Sequence, residues 1–233
     1  MAEILNGILL ALEKIFSLDR ELLNVSLLTC KVSGAATLIS VVLGLPLGFV
    51  LSLTDFPGKR FVISTVNMGM GLPPVVVGLV VSLFLWRDGP LGFLELIYTP
   101  AAMILAQAII ATPLVAAFTL AALQQVRERY SLQIAALGAT PWQEFWLLVR
   151  EARRGILAAI IAGFGAVVSE VGASMMVGGN IKGETRVLTT AIVMEVSRGR
   201  FADAIALSLV LLFLLFAAVF LLTWLQQGGE REL

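Results

Sequence analysis

The sequence predicts an all-α integral membrane protein with five transmembrane helices, and three observations lead there. The 233-residue chain is 59% hydrophobic and 14% charged, whereas soluble domains carry about 25% charged residues. Its mean hydropathy is +0.97. Its charges are also clustered. Four stretches hold no Asp, Glu, Lys or Arg: Val32 to Thr54, Phe61 to Trp86, Leu96 to Val126 and Ala204 to Gly229. A fifth, from Gly155 to about Val177, is interrupted only by Glu170. Each matches or exceeds the roughly 20 apolar residues that cross a bilayer as a helix. So little charge cannot cover a water-soluble core of this size.

Taken in order, Met1 to Phe16 has no basic leader region and no small-residue cleavage site, so it is not a secretory signal. Ile4, Ile8, Leu9, Leu12 and Ile15 or Phe16 recur at helical spacing. Residues 1–20 therefore predict an amphipathic helix lying in the membrane interface. Glu3, Glu13 and Lys14 sit too close together for a short sixth span. One transmembrane domain follows over 21–226, with spans near 23–53, 61–86, 99–124, 155–177 and 203–226, and then a polar tail over 227–233. Pro46, Pro73, Pro74 and Pro113 fall inside spans and predict kinks. Cys30 reads as a small buried residue, and a lone cysteine forms no disulfide within the chain. With no histidine and one cysteine, the usual zinc and copper ligand sets are absent. Sixteen basic and sixteen acidic residues leave no net field for nucleic acid. The cations divide evenly between the two sides, so the positive-inside rule leaves orientation open.

The longest segment between spans, Arg127 to Arg154, has its own pattern. Arg127 to Leu137 reads as a short helix that Gly138 ends as the residue after the C-cap. Thr140 is a good N-cap, Pro141 suits the first helical position, and Gln143 completes a capping box. The next helix carries Trp142, Phe145, Trp146 and Val149 on one side, as a helix along the headgroups would. A plain helical loop would produce the same pattern.

Three stripes of small and polar residues run along the spans. Ser26, Thr29, Ser33, Thr37, Ser40, Gly44 and Gly48 share one face of the first helix. Asn67, Gly71, Pro74, Gly78 and Ser82 repeat the pattern on the second, and Ala158, Ala162, Gly165, Ser169 and Gly172 on the fourth. Close helix packing explains such stripes, and so does a polar path. Gly178, Gly183 and Thr185 match three anchors of a phosphate-binding loop, but Glu184 occupies the lysine position and would repel phosphate. No nucleotide is expected there.

Two runs carry a resemblance to a known family. Gln133-Ile134-Ala135-Ala136-Leu137-Gly138-Ala139-Thr140 resembles the cytoplasmic loop of type I ABC importer permeases. In those proteins the helix before the glycine couples to the ATPase. The glutamate usual six residues before the glycine is Leu132 here. Residues 169–183, SEVGASMMVGGNIKG, followed by Thr185-Arg186-Val187-Leu188-Thr189-Thr190-Ala191-Ile192, look most like tungstate permeases, near molybdate and sulfate permeases. Gly71-Leu72-Pro73-Pro74-Val75-Val76-Val77-Gly78-Leu79 and Gly89-Pro90-Leu91-Gly92 add to the likeness. The resemblance covers about residues 20–226.

It implies the type I importer fold in the inner membrane of a prokaryote, with the Gly138 loop in the cytoplasm. The implied partners are a second copy of the chain, two ABC ATPase subunits that hold ATP and Mg, and an extracytoplasmic oxyanion-binding protein. The chain itself would be non-catalytic and bind no cofactor. Arg129, Gln133, Ala135, Ala136 and Gly138 would serve ATPase coupling. A tetrahedral dianion needs donors in place of water, and several weak ones also let it leave. Ser33, Thr37, Ser40 and Ser169 are therefore candidates for the path. Glu170, alone and ionisable inside a span, is a functional candidate. It would repel a dianion, so an orienting role, or one in an outer gate with Asn180, Lys182 and Arg186, fits better. The lysine and arginine could also form an electropositive mouth. Molybdate, sulfate or another oxyanion is the alternative cargo, since tungstate and molybdate share charge and nearly share size. An intramembrane enzyme or a passive channel is the distant alternative. The chain lacks the H-E-x-x-H and G-x-S-x-G patterns of such enzymes.

Overall fold

The computed structural model describes residues 2–17 and 19–227. The expected tail therefore lies outside the described residues, apart from the backbone of Gln227. The helices in chain order are α1 (Ala2–Phe16), α2 (Arg20–Leu53), α3 (Lys59–Met70), α4 (Pro74–Leu85), α5 (Pro100–Ala136), α6 (Pro141–Val168), α7 (Gly172–Gly178), α8 (Leu188–Ser197) and α9 (Phe201–Gln227). Among the described residues there is no strand. By length and composition, α2, α5 and α9 can each cross a membrane. The pairs α3–α4 and α6–α7 are each bent, by 101° and 56°, so each is a broken span or a re-entrant loop. The described residues thus hold three such spans, or up to five, the number expected, if each bent pair is one.

The bundle is organised around α5, which packs against α2, α3, α4, α6 and α7. At 37 residues it is the longest of these helices, about 55 Å at the helical rise. Its buried face is mostly alanine, including Ala102, Ala106, Ala108, Ala111 and Ala116, so neighbouring backbones come close. On α2, a Cβ added at Gly44 or Gly48 would stand 2.9 or 2.8 Å from the carbonyl oxygen of Thr112 or Ala116 on α5. Packing of this kind replaces the hydrophobic drive that lipid does not supply.

The structure corrects several expectations. The second span is two helices, because Leu72 and Pro73 interrupt it and Pro74 starts α4 at its first position. Asn67, Gly71, Pro74, Gly78 and Ser82 therefore do not share one face. The fourth span also breaks, over Ser169 to Val171. The coupling segment is not a separate helix. Nothing between Leu123 and Ala136 breaks the helical pattern, and α5 runs through it. Gly138 does end the segment, at φ +60°. The capping box at Thr140 and Gln143 is present, with Pro141 at the first position of α6.

The short helix α8 was not foreseen. Buried Glu195 holds its turn into α9, 3.3 Å from Arg198 and 3.1 Å from Arg200. The expected N-terminal helix exists as α1 but is packed on α9, with Gly7 against Ile205 and the carbonyl of Ala202. Ile4, Leu5, Ile8 and Leu9 stay exposed. Cys30 is exposed, not buried.

Candidate translocation site

The two broken spans break beside each other. Gly71, Pro73 and Pro74 from one break and Ser169, Glu170 and Gly172 from the other line a common cleft of about 490 Å³, backed by Ile110 and Leu114 of α5. Glycines close the contact around it. A Cβ at Gly78 would lie 2.6 Å from the Cα of Ala173, and one at Gly172 would lie 2.6 Å from the Cγ2 of Val75. A Cβ at Gly69 would meet the ring of Pro113 at 2.7 Å. Non-helical backbone at membrane depth is stable only where protein or a cavity covers it, and here each break is covered by the other and by α5.

Glu170, at the edge of the cleft, is 5% exposed and its carboxylate is bonded to α7. Its Oε1 accepts from the amide of Ala173 at 2.6 Å, and its Oε2 accepts from the amide and hydroxyl of Ser174 at 3.0 and 2.7 Å. The carboxylate thus satisfies the first free amides of a seven-residue helix and complements its positive end. Two further helices join the knot. Gln107 of α5 donates from Nε2 to the Ser174 hydroxyl at 2.9 Å, and Thr189 of α8 donates to the Glu170 carbonyl at 3.0 Å. The hydrogen-bonded partner expected for Glu170 is thus the start of α7. Gln107, Ser174 and Thr189 were missed in the sequence. Two signals were available: Gln107 stands among apolar neighbours in its span, and Gly172-Ala173-Ser174 after a glutamate offers amides at capping distance.

The expected path residues separate. Ser33, Thr37 and Ser40 are buried inside the subunit and face α5 and α6. The Thr37 hydroxyl donates to the Ser33 carbonyl at 2.7 Å, and that of Ser40 to the Thr37 carbonyl at 2.8 Å. Ala36, on the same side, packs on Ala108, Ala111 and Val167. None of the three lines the cleft, and their arrangement is that of helix packing. Upstream, Thr29 donates to the Val25 carbonyl at 2.7 Å and accepts from the Leu188 amide at 2.9 Å, tying α2 to α8. Replacing Ser33, Thr37 and Ser40 together by alanine is expected to leave uptake within about twofold of wild type, since the carbonyls keep their helical bonds. A larger loss would restore them to the path.

Ser169 does reach the cleft. It is exposed, and its hydroxyl donates to the Gly165 carbonyl at 2.7 Å. Of the stripe it belongs to, Ala158, Ala162 and Gly165 lie outside the subunit's packed interior, while Gly172 packs on Val75. The buried face of α6 is Ala152, Ala159, Gly163 and Val167, while a Cβ at Gly165 would meet nothing within 4 Å.

At the far end of the bundle the structure brings Asn180, Lys182 and Arg186 together, with a residue that was not foreseen. Lys182 Nζ lies 2.6 Å from Glu21 Oε2, and Arg186 Nη1 lies 3.7 Å from Glu21 Oε1. Arg186 also donates to the Asn180 carbonyl at 3.4 Å. The cations are therefore partly neutralised by α2. They still line an open pocket of about 540 Å³ with Lys31 and Glu184. The phosphate-loop lookalike is a closed turn, in which the Thr185 hydroxyl donates to the Gly178 carbonyl and accepts from the Ile181 amide.

At the opposite end, α5 finishes at the expected coupling residues. Arg129, Gln133 and Ala136 share one face of the helix and are exposed, as is Gly138. Leu132 and Leu137 are 85% and 84% exposed. The helix carries Ala135 there, but its side chain lies outside the described residues. Ile134 is buried among Leu123, Leu148 and Ala152, which seats the turn on α6. Trp142 and Trp146 are exposed beside it.

Comparison with known proteins adds the identity of this architecture. Residues 40–231 match the family described as binding-protein-dependent transport system inner membrane component. A probable anion ABC transporter permease from Haloferax volcanii is 44% identical over 83% of this chain and 85% of its own. The tungstate uptake system permease TupB of Peptoclostridium acidaminophilum is 40% identical over 93% of this chain and 95% of its own. The methionine ABC transporter MetNI, solved in inward-facing conformations, shares the fold. Its TM-score is 0.66 at 22% identity, over 90% of this chain and 94% of its own. The match covers the breaks, the cleft and the α5–α6 elbow alike, and this multi-pass membrane protein belongs to the family of binding-protein-dependent transport system inner membrane components.

Proposed function

We propose that the chain is the permease subunit of an ATP-driven importer that carries tungstate across the inner membrane by alternating access. The observation that carries this reading is the extended similarity to a tungstate uptake permease, along nearly the whole of both chains. A second TupB, from Campylobacter jejuni, is 36% identical over 72% of this chain. The molybdenum permease ModB of Azotobacter vinelandii stands further off, at 30% identity over 76%. Molybdate is the second cargo to test, because it presents the same charge and nearly the same size.

On this reading two copies of the chain enclose the path, and two ATPase subunits hold the ATP and Mg. They dock at Arg129, Gln133, Ala135, Ala136 and Gly138, with the Gly138 end in the cytoplasm. An extracytoplasmic binding protein delivers the oxyanion to the Asn180–Lys182–Arg186 end. The partly exposed small face of α6, leading to Ser169 and the cleft, is the surface offered to the path. The chemistry suits transit. The one carboxylate at that depth is held by amides of α7, whose dipoles offset part of its charge. The cleft lining offers no fixed cation to trap one. The permease performs no bond chemistry and converts motion at one end into access at the other.

The test is elemental. Cells with and without the gene receive tungstate and molybdate at equal low concentration, and both metals are measured inside. Loss of tungsten on deletion is expected, and loss of both metals would widen the cargo to both oxyanions. Unchanged accumulation of both would remove the proposed substrate.

A further inference from the structure

The elbow between α5 and α6 is bound to a third helix. At the end of α2 the Thr54 amide caps the Val50 carbonyl, while the carbonyls beyond it lie past the last helical bonds and the turn contains no basic residue of its own. The missing cation comes from α5. Arg127 Nη1 donates to the Ser52 carbonyl at 2.9 Å across 75 residues of sequence. The same guanidinium places Nε 3.5 Å from Glu144 Oε1, in the first turn of α6. Arg127 thus joins the negative end of α2 to an acidic residue at the start of α6. Apolar contacts run beside it. Phe49 of α2 meets Phe145 of α6 edge to face, with ring centroids 5.7 Å apart. Phe49 and Leu53 also pack on the cluster of Leu123, Ile134, Leu148 and Ala152. At the start of the next loop, Lys59 beside Asp55 holds that carboxyl below its ordinary value, and the charge of Arg127 adds in the same direction.

We infer that Arg127 is a positioning residue that locks the α5–α6 elbow to the C-terminal end of α2, so that a push on the elbow moves α2 with it as one rigid body. The inference rests on the transporter reading for its purpose but not for its geometry. A guanidinium can serve the carbonyl and the carboxylate at once because its donors form a rigid fork. Lysine has three donors on a flexible stem but no rigid fork, so it would hold the two partners less firmly.

Two measurements test it. In a Cys30→Ser background, nitroxide labels are placed at Thr54→Cys and Leu137→Cys, and labelled subunits are diluted with unlabelled ones. A narrow distance distribution is expected with Arg127 and a broadened one with Arg127→Gln. An equally narrow distribution in Arg127→Gln overturns the lock, whatever the protein transports. The second measurement uses the full transporter in liposomes and reads ATP hydrolysed per tungstate imported. Arg127→Gln is expected to raise that ratio about threefold or more, with the KM for tungstate-loaded binding protein unchanged and Arg127→Lys in between. The charge-swapped pair Arg127→Glu with Glu144→Arg is expected to rescue only in part, because the Ser52 carbonyl stays uncapped. A ratio equal to wild type in both Arg127 variants would also overturn the lock. If the distribution broadens but wild type imports no tungstate, the cargo assignment fails and the lock stands.

Discussion

Substitution of Glu170 by alanine is expected to reduce uptake at least about tenfold and to lower the yield of folded protein, the largest effect of any single change in the bundle. The carboxylate accepts three bonds, two from backbone amides and one from the Ser174 hydroxyl. Alanine would leave those donors inside the membrane with no water to replace it. Glutamine is the more informative variant, because it keeps the volume and removes the charge. Each carboxylate oxygen faces a backbone N–H, so whichever way the amide turns, its NH₂ points at another donor. Glu170→Gln is therefore expected to lose most of the uptake that Glu170→Ala loses. Ser174→Ala removes one bond and one partner of Gln107, and should fall between wild type and the two Glu170 variants. Membrane content measured on the same cells separates failed assembly from failed transport. Full uptake by Glu170→Gln would mean that the carboxylate does not hold α7 as described.

The second large effect is steric. Gly78→Val is expected to reduce uptake severely, because even the first carbon of a side chain would lie 2.6 Å from the Cα of Ala173. The obstacle is backbone and cannot rotate away, so α4 and α7 would have to separate and the cleft would change shape. Overpacking of this kind costs about 1–3 kcal/mol, and here the strain falls at the junction of both breaks. Gly165→Ala is the control. It also adds bulk to a transmembrane glycine, but into open space within the subunit, and thermal stability of the purified subunit is expected to hold or rise slightly, since alanine is the better helix former. Equal loss of stability in the two variants would refute the packing argument.

The contrast between Gly78 and Gly165 also marks how far the sequence can be read. Charge-free runs located the spans because the bilayer sets a length and excludes charge, and both constraints are local. The turn at Gly138 and the cap at Thr140 were legible for the same reason, since each depends on residues within three positions. The stripe on α2 pointed to two readings, and the close approach of α5 to Gly44 and Gly48 supports the packing one. Pro73 and Pro74 announced a disturbance but not a 101° bend, which the packing of α4 on α7 determines. Glu170 was recognisable as unusual, and the amides it binds are adjacent in sequence, yet the break that frees them follows from the fold. The short helix α8 was hidden because its ten residues cannot span a bilayer and begin beside Arg186. Arg127 reached its carbonyl partner from 75 residues away, a distance over which no sequence pattern operates.

The continuity of α5 has a thermodynamic corollary. One uninterrupted helix packs on α7 near its start, where the amide of Tyr98, two residues before it, donates to the Val177 carbonyl at 2.8 Å, and forms the elbow at its end. Pro113 removes a single hydrogen bond midway without ending it. Two ligands that each bias the position of the same rod must bias each other's binding, and by an equal free energy in both directions. Whatever docks beside Tyr98 would thus alter affinity at Gly138 by the same factor that occupancy at Gly138 alters affinity beside Tyr98. Partners at the two ends of α5 would on this geometry form a reciprocal pair, with no relay between them.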